Sequence, residues 1–235
     1  MSTLGVIVFK TREMQHLSQS LQSIAWADRV KVVPFDEEKN TTFEEMKGRL
    51  WKDIGTDWVL HLWGEERVDS KLAQELRRIC RSEFKTAPPQ YRIPVRTRLL
   101  DRWIEGSVWG PAPAPRLVRH GGVLPCGWGN PVSLKGWRSA GLLGGWIEDY
   151  SCEGLSDGLD RLNEISSLWA KKMHSEGRTL RLVAGLLRSI KVFGKLFFVK
   201  GFLFKGLAGL ALSVLASYMD LVSGMKLSEM HRTSV

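Results

Sequence analysis

The chain has 235 residues and a formal net charge of +9, with 43% apolar and 25% charged residues. This balance is that of an ordinary globular protein, and it excludes a disordered, collagen-like or purely fibrous chain. The length is sufficient for one large domain, or one domain with an appendage, to bury a core of its own.

The first eighty residues alternate apolar strand patterns with amphipathic helix patterns. Short apolar runs predict strands over 4–9, 30–34 and 57–63. Apolar positions at helical spacing predict helices over 12–26, 43–51 and 70–81, the second opened by a Thr42/Glu45 capping box. This strand–helix order predicts a parallel α/β fold with right-handed crossovers.

The three cysteines give no sign of a metal site or of a disulfide framework. They are Cys80, Cys126 and Cys152, and no Cys-x-x-Cys pair occurs. The opening residues, MSTLGVIVFK, lack the basic and apolar regions of a signal peptide. We therefore expect a reducing, cytoplasmic compartment.

Ligands of parallel α/β sheets lie at the carboxyl ends of the strands. Three segments are therefore of interest: 10–13, 34–40 and 63–69. The sequence contains neither a G-x-G-x-x-G pattern nor a Walker loop, so dinucleotide and P-loop chemistry are not indicated.

The middle of the chain is rich in arginine, tryptophan, glycine and proline. Arg116 and Arg119 are candidates for holding an anionic ligand, because guanidinium groups bind phosphate groups in a bidentate way. Five of the ten tryptophans fall between Trp103 and Trp146; their flat faces suit stacking on sugar rings, and filling an irregular core is the alternative. The Gly- and Pro-rich segment 116–145 predicts loops over the site.

A predicted helix over 157–174 leads into the most basic and most apolar part of the chain. Residues 178–219 contain seven basic side chains and no acidic one. Their setting among Leu, Phe and Val argues against nucleic-acid binding, and the longest uncharged run, 206–219, would span a membrane only with strain. We expect an in-plane amphipathic segment on an anionic membrane surface, with packing on the protein's own core or on a dimer partner as the alternative.

Five segments, in this order, resemble the family 2 glycosyltransferases: VIVFKTRE, SIAWADRVKVV, GTDWVLHLWGEERVD, YRIPVRTRLLDRWI and APRLVRHG. More narrowly, the chain resembles the small bacterial subgroup that includes lipopolysaccharide-core glucosyltransferases. In that subgroup a lysine and a glutamate follow the first strand, as Lys10 and Glu13 do here, and a helical tail carries a GFL-x-x-G-x-x-G pattern, matched at 201–209. The likeness covers nearly the whole chain.

The resemblance implies a nucleotide-sugar-binding α/β domain of the GT-A type over 1–155 and a basic, amphipathic helical appendage over 156–235. It implies inverting transfer of a sugar from a nucleotide diphosphate donor to a lipid-linked or lipopolysaccharide-core saccharide, at the cytoplasmic face of the bacterial inner membrane. Such chemistry uses a divalent metal, Mg²⁺ or Mn²⁺, held by an Asp-x-Asp motif to neutralise the leaving diphosphate. It also uses a carboxylate base to take the proton from the attacking hydroxyl.

The chain departs from the family pattern at the donor site. Where members read D-A-D-E-R, this chain reads W-G-E-E-R over 63–67, so that Glu65 is the candidate metal ligand and Glu66 helps to organise it. The aspartate expected at the end of the second strand is Pro34, and Asp36 is the candidate to replace it.

A His-Glu pair expected near residue 130 is also missing from the sequence. The nearest carboxylate pair downstream, Glu148 and Asp149, supplies the candidates for the general base.

Two interpretations of these departures stay open. In the first, the enzyme has a rearranged site in which Lys10, Glu13 and Asp36 line the nucleotide while Arg116 and Arg119 hold negative charge. In the second, the chain is a catalytically degenerate scaffold that binds an active glycosyltransferase or a membrane assembly. A homodimer is a further partner considered for either interpretation.

Overall fold

The structure, a computed structural model, describes residues 2–10, 16–34, 50, 53–81, 87–105, 114–120, 140–178 and 182–233. The chain divides into a first unit, Met1–Arg96 with Glu105–Tyr150, and a second unit, Thr97–Ile104 with Ser151–Val235. The domain boundary predicted at residue 155 lies close to the division after Tyr150. The hairpin within Thr97–Ile104, which the sequence analysis placed in the first domain, belongs to the second unit.

The protein is a mixed α/β structure. Its described strands are β1 (Leu4–Lys10), β2 (Arg29–Pro34), β3 (Trp58–Trp63), β4 (Glu66–Val68), β5 (Gln90–Ile93), β6 (Val95–Leu99), β7 (Arg102–Glu105), β8 (Ala114–Arg119), β9 (Gly141–Leu142) and β10 (Ile147–Asp149). Its described α-helices are α1 (Leu17–Ser23), α2 (Ser70–Arg81), α3 (Leu155–Ser175), α4 (Leu182–Gly194) and α5 (Gly206–Thr233).

The first unit is built on a six-stranded sheet in the order β2-β1-β3-β8-β5-β9. β1 pairs in parallel with β2 and with β3, in a register that places Lys10 beside Pro34 and Phe9 beside Trp63. β8 then runs antiparallel to β3. The predicted parallel arrangement is therefore confirmed for the first three strands, while the rest of the sheet is mixed.

Both faces of the central strands are buried, which explains why their sequences are continuously apolar rather than alternating. On one face, side chains of β1 and β3 pack with Leu72 and Leu76 of α2 and with Leu17 and Leu21 of α1. On the other face, Trp63 belongs to a second buried cluster.

The predicted helix over 70–81 is confirmed residue for residue. It begins there because Asp69 caps it: the carboxylate accepts a hydrogen bond from the Leu72 amide at 2.6 Å. Of the helix predicted over 12–26, the structure describes α1. The helix predicted over 43–51 and its capping box lie outside the described residues, apart from Leu50.

The second unit combines the β6–β7 hairpin with three helices. α5 packs against both α3 and α4, and Arg188 of α4 contacts Asp220 of α5, with 3.0 Å between Nε and Oδ2. The segment Phe202–Arg232 is long and apolar enough to associate with a membrane. Its most apolar stretch of 18 residues has a mean hydropathy of 1.6, and 39% of that stretch is buried inside the protein.

Asp57 ties the start of β3 to the residues that precede β1, and this contact depends on its charge. Its carboxylate accepts hydrogen bonds from the Thr3 amide at 2.7 Å and the Thr3 hydroxyl at 2.9 Å. The backbone hydrogen bond holds the pKa of Asp57 below its ordinary value of 3.8. A carboxyl with a depressed folded-state pKa contributes stability above its unfolded pKa, and this contribution is lost as the pH falls through the folded pKa.

We therefore expect Asp57→Asn to lower the free energy of unfolding by about 1 kcal/mol at pH 7. The deficit should shrink as the pH falls below about 3.8. Urea denaturation at pH 7 and at pH 3 measures both values. Asp53→Asn is the matched control, because the exposed Asp53–Lys31 pair should contribute little at either pH. An equal deficit for Asp57→Asn at both values would contradict an ionic role.

Candidate functional site

The carboxyl ends of β1 and β3 form a topological switch point. From β1 the chain passes to β2 on one side, and β3 then lies on the other side of β1. In open α/β sheets the crevice at such a reversal is where ligands bind. Lys10 ends β1 at this edge and is half-buried, and the Gly64 amide donates to the Phe9 carbonyl at 3.0 Å. The turn after β3 is thus fixed beside the crevice.

Glu66, the first residue of β4, directly follows this turn and is buried. Its Oε2 accepts a hydrogen bond from the Trp63 amide at 2.9 Å. Arg116 of β8 binds the same carboxylate with both terminal nitrogens, Nη2 to Oε1 at 2.7 Å and Nη1 to Oε2 at 3.2 Å. Ser20 of α1 donates to the Glu66 carbonyl at 2.6 Å. Glu66 therefore fixes the shape of the turn.

β10 brings the second predicted carboxylate pair to the same place. It runs antiparallel to β4 with Asp149 opposite Glu66 and Glu148 opposite Arg67. The Tyr150 amide donates to the Glu65 carbonyl at 3.1 Å. Because residues directly opposite each other share a face of the ladder, Asp149 lies on the buried face with Glu66, and Glu148 lies on the other face with Arg67.

Glu148 lies within a cluster of cationic and aromatic groups. It forms an ion pair with Arg96 and accepts a hydrogen bond from the Tyr150 hydroxyl at 3.3 Å. The Arg67 guanidinium lies 3.7 Å from the centroid of the Tyr150 ring, and Arg96 lies 6.0 Å from that of Trp146. Glu148 is half-buried, whereas Asp149 is only 2% exposed, so Glu148 is the better placed of the two to meet a substrate hydroxyl.

The sequence analysis did not single out Arg67, Arg96 and Tyr150 as site residues. The pairing of β10 with β4 brings Arg67 to Glu148, and β6, on the other side of β10, brings Arg96. These strands are far apart in the chain, and only Tyr150 is a sequence neighbour of Glu148. The clustering of arginine in the middle of the chain was the single available signal, and it does not indicate which arginine meets which carboxylate.

Among the described residues, Arg119 is the predicted site residue that the structure does not bring to the switch point. Arg119 pairs with Trp58 at the beginning of β3, at the end of the sheet away from the switch point, and Arg116 has Glu66 as its partner. Glu13 and Asp36 lie outside the described residues, as do three of the tryptophans considered for sugar stacking: Trp109, Trp128 and Trp137.

The residues described by the structure do not fit the divalent metal that the resemblance implies. Trp63, at the position of the first family aspartate, is 5% exposed and packs on Phe9 with 5.5 Å between ring centroids. Both oxygens of Glu66 already bind Arg116, which leaves Glu65 as the carboxylate named for this role. No group of three or more His, Cys, Asp or Glu side chains is arranged to hold a metal ion within the ranges described above.

No model of a known protein family matches the chain, and no curated protein sequence matches it. Any functional assignment therefore depends on the geometry of the switch point and on the sequence segments quoted above.

The Glu66–Arg116 pair gives a direct test of how the site is held. We expect Arg116→Ala to lower the free energy of unfolding by about 3–5 kcal/mol, because it leaves a buried carboxylate uncompensated. Chemical denaturation measures the loss. Lys31→Ala, which removes an exposed ion pair, is the control and should lose less than about 1 kcal/mol. Similar losses for the two variants would show that Glu66 and Arg116 do not stabilise the turn.

Proposed function

We propose that this chain is an inverting glycosyltransferase acting at the inner membrane surface of a bacterium. It transfers a sugar from a nucleotide diphosphate donor to a lipid-linked or lipopolysaccharide-core saccharide. One arrangement supports this proposal above all: Lys10, the turn with Glu65 and Glu66, and the end of β10 all meet at the β1/β3 switch point. This is where an α/β sheet of this order binds a nucleotide.

We further propose that the first unit has the GT-A fold. Its support is the parallel β2-β1-β3 half of the sheet, with helices α1 and α2 on one face, followed by the antiparallel β8 beside β3. A nucleotide-sugar-binding domain needs such a half-sheet, because the carboxyl ends of its strands provide the crevice.

In the proposed site the protein's own cations balance the charge of the donor diphosphate. Lys10 supplies a flexible ammonium at the end of β1, and Arg67 lies at the neighbouring β4 strand above Tyr150. Arg116 contributes indirectly, because its binding to Glu66 neutralises a carboxylate next to the turn. The described residues thus favour donor binding that does not need a divalent metal.

The proposed chemical step is a single displacement at the anomeric carbon. An acceptor hydroxyl oxygen forms the new bond to that carbon while the bond to the diphosphate oxygen breaks, and the electron pair leaves with the nucleoside diphosphate. Glu148 takes the hydroxyl proton. Arg96 and the Tyr150 hydroxyl hold its carboxylate in place, which is what a positioned general base requires.

The catalytically degenerate scaffold is the second candidate, and a specific observation favours it. Trp63 replaces the first metal ligand and is built into the core, and Glu66 is occupied by Arg116. A protein that had lost donor chemistry and kept its fold would show this pattern. Its partner would then be an active glycosyltransferase.

Donor binding separates the two candidates. We expect calorimetric titration with a panel of UDP- and GDP-sugars to give a dissociation constant on the order of 10–100 µM for the true donor, unchanged by EDTA. Lys10→Ala should weaken binding about tenfold through the loss of a charge-assisted contact, while Lys31→Ala, on the exposed edge strand, should not. The absence of binding at millimolar concentrations in a folded sample would refute the enzyme and support the scaffold.

The rate of turnover tests whether Glu148 is the general base. With the bound donor and a lipooligosaccharide acceptor, Glu148→Gln should slow release of the nucleoside diphosphate by about 10²–10⁴-fold, the usual contribution of a general base, and leave the donor dissociation constant unchanged. Glu105→Gln, at an exposed position, is the matched control. If Glu148→Gln turns over as fast as the control, the base is a different residue.

A further inference from the structure

The turn that connects α4 to α5 exposes large apolar side chains in one short stretch. It comprises the π-helical segment Lys195–Val199 and the 3₁₀ segment Phe202–Lys205, and we refer to residues 195–207 as the apex. The exposed apolar residues of the apex are Phe198, Val199, Leu203, Phe204 and Leu207. Val199 is 80% and Phe204 is 88% exposed, which is unusual for side chains of this size.

Glycine residues determine the backbone conformation of the apex. Gly201 and Gly206 have φ angles of 70° and 63°, in the left-handed region that favours glycine. At Gly209 a side chain would collide with the Phe202 carbonyl, so glycine lets the 3₁₀ segment pack closely on α5. Phe202 is buried as a result, while Phe204, two residues later, points to solvent.

Lysines surround these apolar side chains. Lys195 and Lys200 are exposed and Lys205 is half-buried, with its Nζ 5.3 Å from the centroid of the Phe202 ring. The sequence contains no acidic residue from 178 to 219. The apex therefore combines an apolar tip with a positive rim, and long lysine side chains can keep their charges at a water interface while their stems lie along apolar material.

This combination of an apolar tip and a positive rim favours contact of the apex with an anionic lipid bilayer over contact with a second copy of the chain. A second copy of the chain could cover the apolar tip, but it would bring the lysines of both copies together, and like charges in contact disfavour such pairing. A bilayer with anionic headgroups removes the same apolar area from water and attracts the rim.

Polar contacts hold the second half of α5 against the rest of the second unit, which disfavours contact of this half with lipid. The Lys226 ammonium donates to the carbonyl and side-chain oxygens of Asn163, at 2.8 and 2.6 Å, and to the hydroxyls of Ser166 and Ser167, at 2.9 and 2.7 Å. Asp220 is ion-paired with Arg188. Because these polar contacts fix α5 on α3 and α4, the geometry favours insertion of the apex over passage of the helix through the bilayer.

We infer that the apex, residues 195–207, inserts its apolar tip into the headgroup–acyl boundary of an anionic membrane while Lys195, Lys200 and Lys205 contact lipid headgroups. This inference rests on the membrane-surface location in the proposed function and identifies the segment responsible for it. Insertion at this depth is in the plane of one leaflet.

Co-sedimentation of the full chain with extruded vesicles tests the insertion. With 70:30 phosphatidylcholine:phosphatidylglycerol vesicles we expect binding, and with pure phosphatidylcholine much weaker binding. The double variant Val199→Ser/Phe204→Ser should lose at least tenfold in partitioning, and each of Lys195→Gln and Lys200→Gln should lose about fivefold. The matched control is Leu142→Ser/Leu159→Ser, which removes two exposed leucines elsewhere and should partition like the parent protein.

Circular dichroism and thermal unfolding establish that each variant is folded. Hydrogen–deuterium exchange provides a second readout that needs no substitution: vesicles should protect the peptides covering 195–207. Equal partitioning of the two double variants would overturn the inference. Protection along the whole of α5 would overturn it in favour of a span, and vesicle-independent, concentration-dependent protection would overturn it in favour of a dimer.

Donor titration without vesicles keeps this inference separate from the proposed function. The apex double variant should bind the nucleotide-sugar donor as the parent protein does. Loss of vesicle binding with intact donor binding supports the insertion, whereas a parent chain that binds vesicles through the apex but binds no donor refutes only the glycosyltransferase.

Discussion

The buried ion pair between Glu66 and Arg116 is the contact on which the candidate site depends. Burying two charges is unfavourable unless their geometry is good and their remaining hydrogen-bonding capacity is met. Here the guanidinium group contacts both carboxylate oxygens, and the Trp63 amide donates a further hydrogen bond to the carboxylate. The pair joins the turn after β3 to β8. β4 follows this turn and pairs with β10, in a register that places Asp149 opposite Glu66 and Glu148 opposite Arg67.

Under the proposed function, the same ion pair explains how a nucleotide would bind without the metal ligands that the resemblance implies. Two carboxylates near the crevice, Glu66 and Glu148, are each paired with an arginine, so that the edge of the sheet does not repel a diphosphate as unpaired carboxylates would. Trp63 then packs in the core instead of contacting a ligand. The arrangement is compatible with a rearranged enzyme and with a scaffold, and the two differ in whether Lys10 still receives a donor.

In the second unit, the conformation of one turn requires glycine at particular positions. The glycines of the GFL-x-x-G-x-x-G segment meet backbone requirements, with positive φ at Gly201 and Gly206 and close packing at Gly209. They create a turn that buries Phe202 and exposes Phe204. Under the proposed function, a few exposed apolar side chains with a basic rim would give reversible membrane association, as release of one lipid-linked acceptor and capture of the next requires.

The sequence by itself determined elements in the first eighty residues of the first unit and the character of the basic, apolar segment of the second. Continuous apolar runs specified β1 and β3, an amphipathic pattern specified α2, and the absence of acidic residues over 178–219 marked the basic, apolar segment. These signals depend on neighbours within one element. Only the tertiary structure decided that Arg116 binds Glu66 while Arg119 lies at the far end of β3, and that Glu148 meets Arg96. Such pairings depend on strand order and register, which join distant residues and leave no local pattern in the chain.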